Sequence, residues 1–275
     1  MAIVTISREM GSGGSIIANA LADKLGYTLV DGETILKEAS KYGLSQEAIE
    51  KADEKPPAFV ESLDARAEID FYHIQQIILE YALRGDVIIY GRGGQDILEG
   101  VESVLTTRII APFELRIERW AEREWLDPDL SRILVHKSDQ QREGFIKYYF
   151  DRDWNDPCNY DLVINTAKLS EDMAVDLIIH AIEEKHLQEQ RENSKERLRE
   201  LILRKKIEIE IIRSSDIEGY HLQIDIKEGT ILLNGHIHSN AERDTIHEII
   251  NAQQPNYKIK DELKVFAYYV NPKEV

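Results

Sequence analysis

The chain has 275 residues, 43% of them hydrophobic, which suffices for one large or two ordinary domains with packed cores. Its formal net charge is −17, with the acidic excess in the first 193 residues and near balance from Ser194 onward. That charge argues against general nucleic-acid binding, which needs a basic footprint, and no 18-residue apolar run marks a membrane helix. Cys158 is the single cysteine, so no intrachain disulfide forms, and the first residues lack signal-peptide composition. Both features lead to the expectation of a cytoplasmic protein.

A β-branched run, Ile3 to Ile6, enters the glycine-rich turn Gly11-Ser12-Gly13-Gly14-Ser15, and Ile17, Leu21 and Leu25 follow at helical spacing. The pattern predicts strand, loop and helix, with loop N–H groups and the helix N-terminus aimed at one spot suited to phosphate. The loop has the length of a Walker A but not its residues. Arg8 stands at the first glycine, Gly14 at the lysine, and Ser15 supplies the hydroxyl. A glycine turn also serves close strand–helix packing, so the glycines alone leave both readings open.

Gly26 is placed to stop the first helix, and Tyr27 to Val30 reads as a strand ending at Asp31. Asp31 meets a ligand there or caps the helix over Glu33–Tyr42. Residues 43–65 carry turn signals and charge and read as a flap. A helix over Arg66–Arg84 and a buried strand over Val87–Tyr90 follow, then Gly91-Arg92-Gly93-Gly94. Arg92 among glycines suits an anion, through bidentate bonds, or a surface salt bridge. Leu105–Ile110 reads as a strand. The helix Phe113–Glu124 puts Arg116, Arg119 and Arg123 on one face, either as exposed charge or as a phosphate-facing lid. Asp129–Phe150 reads as helix carrying Lys137, Asp139 and Arg142, and Leu162–Asn165 as a short strand before a helix capped by Ser170. Strands alternating with helices predict an α/β fold with a largely parallel sheet over residues 1–190.

Residues 191–204 form a charged helical connector, and 205–275 read as a small α+β module of order α-β-β-α-β. His236 and His238 share one side of a strand. With no third ligand near them, a solvated face fits better than a metal pair.

In order and spacing, residues 1 to about 185 resemble the cytidylate-kinase-like family, a branch of the P-loop nucleoside monophosphate kinases. The likeness is carried by Ile6-Ser7-Arg8-Glu9-Met10-Gly11-Ser12-Gly13-Gly14, Gly91-Arg92-Gly93-Gly94, and Ala111-Pro112-Phe113 with Arg116 and Arg119. It continues through Asp139 and Arg142, Asp153-Trp154, Asp156-Pro157 and Tyr160-Asp161-Leu162-Val163-Ile164-Asn165-Thr166. Residues 205 to 270 resemble a BON domain through Thr230 to Ile237, the helix after Ser239, and Asp261 to Val265.

The resemblance implies ATP- and Mg²⁺-dependent phosphoryl transfer to a CMP-like acceptor, coupled to a BON module that docks a protein or small ligand. Gly11, Ser12, Gly13, Gly14 and Ser15 would cradle the donor phosphates, with Ser15 on Mg²⁺. Asp31 and Arg92 would bind the acceptor. Arg116, Arg119, Asp139 and Arg142 would act in catalysis, and Arg8 would replace the missing lysine. Tyr90 and Val135 depart from the family pattern, where an acidic residue and an arginine are expected. The missing lysine, with those departures, opens the alternative of a nucleotide sensor without turnover, or of a docking protein with a relic site.

Overall fold

The computed structural model describes residues 2–46, 54, 65–217 and 222–266. The flap expected over 43–65 therefore lies mostly outside the described residues. The chain divides into two compact units, Met1–Leu198 and Arg199–Val275.

The first unit is built on β1 (Ile3–Arg8), β2 (Thr28–Val30), β3 (Val87–Tyr90), β4 (Val104–Ile110) and β5 (Leu162–Asn165). These form one sheet in the order β2-β3-β1-β4-β5, with every pair parallel. β1 is central and buried without a break from Ile3 to Ser7, with Thr5 and Ser7 buried alongside Ile3, Val4 and Ile6. Its two neighbours, β3 and β4, follow later in the chain on opposite sides. The end of β1 is thus a switch point, where open α/β sheets bind ligands.

Helix α1 (Gly14–Leu25) follows the glycine turn and ends at left-handed Gly26, as expected. α2 is Gly32–Ala39, α3 is Ala65–Arg84, and α4 is a single turn over Gly94–Ile97. The α5 (Phe113–Glu124) and α6 (Pro128–Phe150) helices come next, then α7 (Glu171–Ile182) and the short α8 (Lys185–Glu189). On one side of the sheet Val4, Ile6, Ile88 and Ile109 pack with Ile17 and Leu21 of α1 and Val175 and Ile178 of α7. A separate aromatic cluster joins Phe71 of α3, Phe145 and Ile146 of α6, and Trp154.

Helix α9 (Arg191–Arg213) runs from the first unit into the second. The second unit has β6 (Gln223–Lys227), β7 (Thr230–Ile237), α10 (Asn240–Gln253) and β8 (Lys258–Val265). Its sheet is mixed, with β6 antiparallel and β8 parallel to the central β7. Ile207 and Ile211 pack with Ile231, Leu233, Ile246, Ile250 and Leu263. His238 lies beside Glu242, and His236 meets the Phe266 ring edge. Among the described residues no cluster of three His, Cys, Asp or Glu side chains could hold a metal ion, and no helix is long and apolar enough to cross a membrane.

Candidate active site

The glycine turn leaves β1 at the switch point and enters α1 at Gly14. Gly13 precedes the helix in the left-handed region, with no side-chain cap, so the first N–H groups of α1 face the turn. Gly11 is left-handed as well, and a Cβ there would lie 2.5 Å from the Arg116 carbonyl oxygen. Any other residue would push the loop off α5.

Side chains brace the loop from outside. Asp139 Oδ1 accepts from the Met10 N–H at 2.9 Å, and Arg116 Nη1 donates to the Met10 carbonyl and to Asp139 Oδ2. Arg116 Nε donates to the Ala111 carbonyl and lies 3.2 Å from Glu9 Oε2. Ser12, fully buried, donates to the Glu9 carbonyl, and Thr166 donates to the Ser12 carbonyl. Arg119 holds Thr166 through both its hydroxyl and its carbonyl. A reading of the three α5 arginines as one exposed basic face is therefore corrected. Arg116 is buried, because one turn of α5 places it under the loop, Arg119 is half-buried, and only Arg123 projects outward, over the Trp120 ring. Ser15 lies in the first turn of α1, with Arg123 Nη1 3.5 Å from its hydroxyl.

Beside the loop, three arginines surround one carboxylate. Glu54 accepts from Arg8 Nη1 at 2.5 Å, from the Arg92 backbone N–H at 2.7 Å and from Arg142 Nε at 3.0 Å. The Arg8 guanidinium stacks on the Tyr90 ring at 4.0 Å. Burial would raise the Glu54 carboxyl, but Arg8, Arg142 and Arg92 outweigh it and hold it well below the usual carboxylate range. Burial would likewise lower the Arg8 guanidinium. Glu54 and Tyr90 reverse this and hold it above its ordinary value.

Gly91, Arg92 and Gly93 are all left-handed, at φ 72°, 57° and 69°. Arg92 in that region is a strained choice for a residue with a side chain. Its guanidinium approaches Gly32, at the start of α2. Asp31 caps α2 by accepting from the Thr34 N–H, so the capping half of its expected role is met. The cleft holding this cluster is also lined by Ser7, Gln95, Phe145 and Trp154. Trp154 donates to the Ser7 hydroxyl at its floor. Asp96, buried next to Gln95, has its carboxyl pushed up by burial, against the pull of Arg152, to about 6.

A model of the family described as "Cytidylate kinase-like family" matches residues 3–168. The chain belongs to that family. Proteins named cytidylate kinase are among its relatives. The one from Methanopyrus kandleri is 30% identical over 66% of this chain and 93% of its own, and the one from Halobacterium salinarum 28% identical over 66% and 89%. An uncharacterized protein from Eubacterium ventriosum shares the fold, with a TM-score of 0.55 at 23% identity over 67% of this chain and 100% of its own.

Two departures of this cytidylate kinase-like chain have structural causes. Val135 is fully buried in α6, so an arginine there would have no route to a ligand without unpacking the helix. A Cβ at Gly14 would lie 2.7 Å from the Arg8 Cβ, so the stem of Arg8 fills the space that a side chain at the lysine position needs. Sequence reasoning brought Arg8, Arg92, Asp139 and Arg142 to one region. It missed Glu54, Glu9, Thr166 and Asp96. The Asn165-Thr166 dipeptide at a strand end was a usable signal for Thr166. Glu54 is one acid among 51 and had none.

Proposed function

We propose that the first unit is an ATP- and Mg²⁺-dependent kinase that phosphorylates a small phosphorylated acceptor, a nucleoside monophosphate of the CMP type, and that the second unit is a BON-like binding module attached to it. The observation that carries this reading is the convergence of the Arg8 and Arg142 guanidiniums and the Arg92 N–H on one carboxylate beside the glycine loop, with the charge of the Arg92 side chain close enough to act on it. Such a cluster neutralises and orients a phosphate, which is most of what phosphoryl transfer requires of a protein.

The loop from Gly11 to Ser15 fits a donor triphosphate. Its glycines admit close backbone approach, and the start of α1 adds N–H groups. Ser15 would hold Mg²⁺ together with the nucleotide, since the described residues build no cage of their own. The ion would neutralise charge between the phosphates. Arg8 takes the lysine's place, its stem filling the space that a side chain at Gly14 would need. Arg92 and Arg142 hold the acceptor phosphate in line, and Asp31 sits at the edge of the acceptor side. Arg116 and Asp139 act on the loop, keeping Met10 fixed, rather than on the phosphates. Arg119 acts through Thr166.

Arg92→Ala should lower acceptor phosphorylation by about 10³ or more, the scale of one transition-state arginine, without changing the fold. A coupled ADP-release assay beside circular dichroism reads both. Unchanged turnover in the folded variant would contradict the assignment.

A further inference from the structure

We propose that Glu54 is a tethered competitor, its carboxylate occupying the position that the acceptor's anionic group takes among Arg8, Arg92 and Arg142. The inference rests on the reading of that pocket as the acceptor site.

Three observations carry it. First, the Glu54 side chain is only 12% exposed, and its two oxygens together use the guanidinium of Arg8, that of Arg142 and the N–H of Arg92. This is the set of donors a phosphomonoester would want. Second, the position is built to receive an oxygen. A Cβ at Gly91 would sit 2.0 Å from Glu54 Oε1 and 2.3 Å from Arg8 Nη1, so only glycine leaves the space open. Third, Glu54 itself lines the cleft together with Arg8, Gly91 and Arg142, so its carboxylate stands where a second anion would go.

A tethered carboxylate raises the apparent dissociation constant of every anion by one factor, set by how fully it fills the pocket. Weakly held anions are kept out. A ligand with further contacts, such as a nucleotide with its base and ribose, can displace it. The arginines are never left facing one another without a counter-charge.

The test is a titration of the full chain with inorganic phosphate. Trp120 and Trp125 are changed to Phe, so that Trp154 on the cleft wall is the sole emitting tryptophan. Competition predicts that Glu54→Gln and Glu54→Asp both tighten phosphate binding at least tenfold. The aspartate keeps the charge but falls one methylene short of the three donors.

Tightening in Glu54→Gln alone would mean repulsion through space and overturn the inference. Weaker binding in both variants would make Glu54 a positioning residue for the arginines and overturn it as well. No phosphate response in any of the three proteins would overturn the reading of the pocket as an anion site. Turnover is not measured, so the outcome stands apart from the question of catalysis.

Discussion

Arg116 and Asp139 brace the glycine loop from outside. Their bonds to both sides of Met10 fix the loop, and each belongs to a partly buried ionic pair with no slack. Asp139→Ala leaves the Met10 N–H and the Arg116 guanidinium short of an acceptor. It should cost about 2 kcal/mol in urea unfolding, the penalty for buried donors left unpaired, and should weaken ATP binding in calorimetry. An unaltered affinity would show that the loop holds its shape without the brace.

Asp96 makes a pH prediction with a definite sign. Its carboxyl lies at about 6 in the folded chain against 3.8 unfolded, so the native state holds the proton more tightly across that window. Stability contributed by the protonated form is present at low pH and lost as pH rises towards 6, by about 3 kcal/mol. Asp96→Asn should flatten that part of the stability profile. Identical slopes in the variant and the parent between pH 4 and 6.5 would contradict it.

At the scale of elements, the strand–loop–helix of β1 and α1 was legible because each part has its own period and the glycines mark the join. The α6 helix was legible over nearly its full length, and Asp139 and Arg142 on it were singled out by the family resemblance rather than by a period. The roles of the α5 arginines were not. Spacing of three and four gives a common face but not what that face packs against, and the loop lies directly over Arg116. The one-turn helix α4 is too short to show a period, so the buried Asp96 it carries had no signal.

The Gly14 position shows the same limit and allows a counter-intuitive test. Restoring a Walker lysine by Gly14→Lys should not raise the rate, because its Cβ meets Arg8, and the variant should be less stable. Pairing it with Arg8→Gly frees the space. A faster single variant in the coupled assay would show that Arg8 yields easily and is not the lysine's substitute.

At the scale of the molecule, two units with separate cores share one chain and the helix α9. Ile246→Ala in the second core should cost that unit about 2–5 kcal/mol and lower only one of two calorimetric transitions, leaving the other in place. A single transition that shifts as a whole would show that the units unfold together. The acidic surface of the first unit repels nucleotides at long range. Under the proposed function, binding comes from the few arginines and N–H groups placed at the ends of β1 and β3.

The most direct test of that account is phosphoryl transfer itself. Purified full-length protein is assayed with ATP, Mg²⁺ and a panel of nucleoside monophosphates, with calorimetric titration of the same nucleotides. The account predicts multiple turnovers with a pyrimidine monophosphate and loss of that activity in Arg92→Ala. Saturable nucleotide binding without turnover for any acceptor would contradict it and leave the site a sensor.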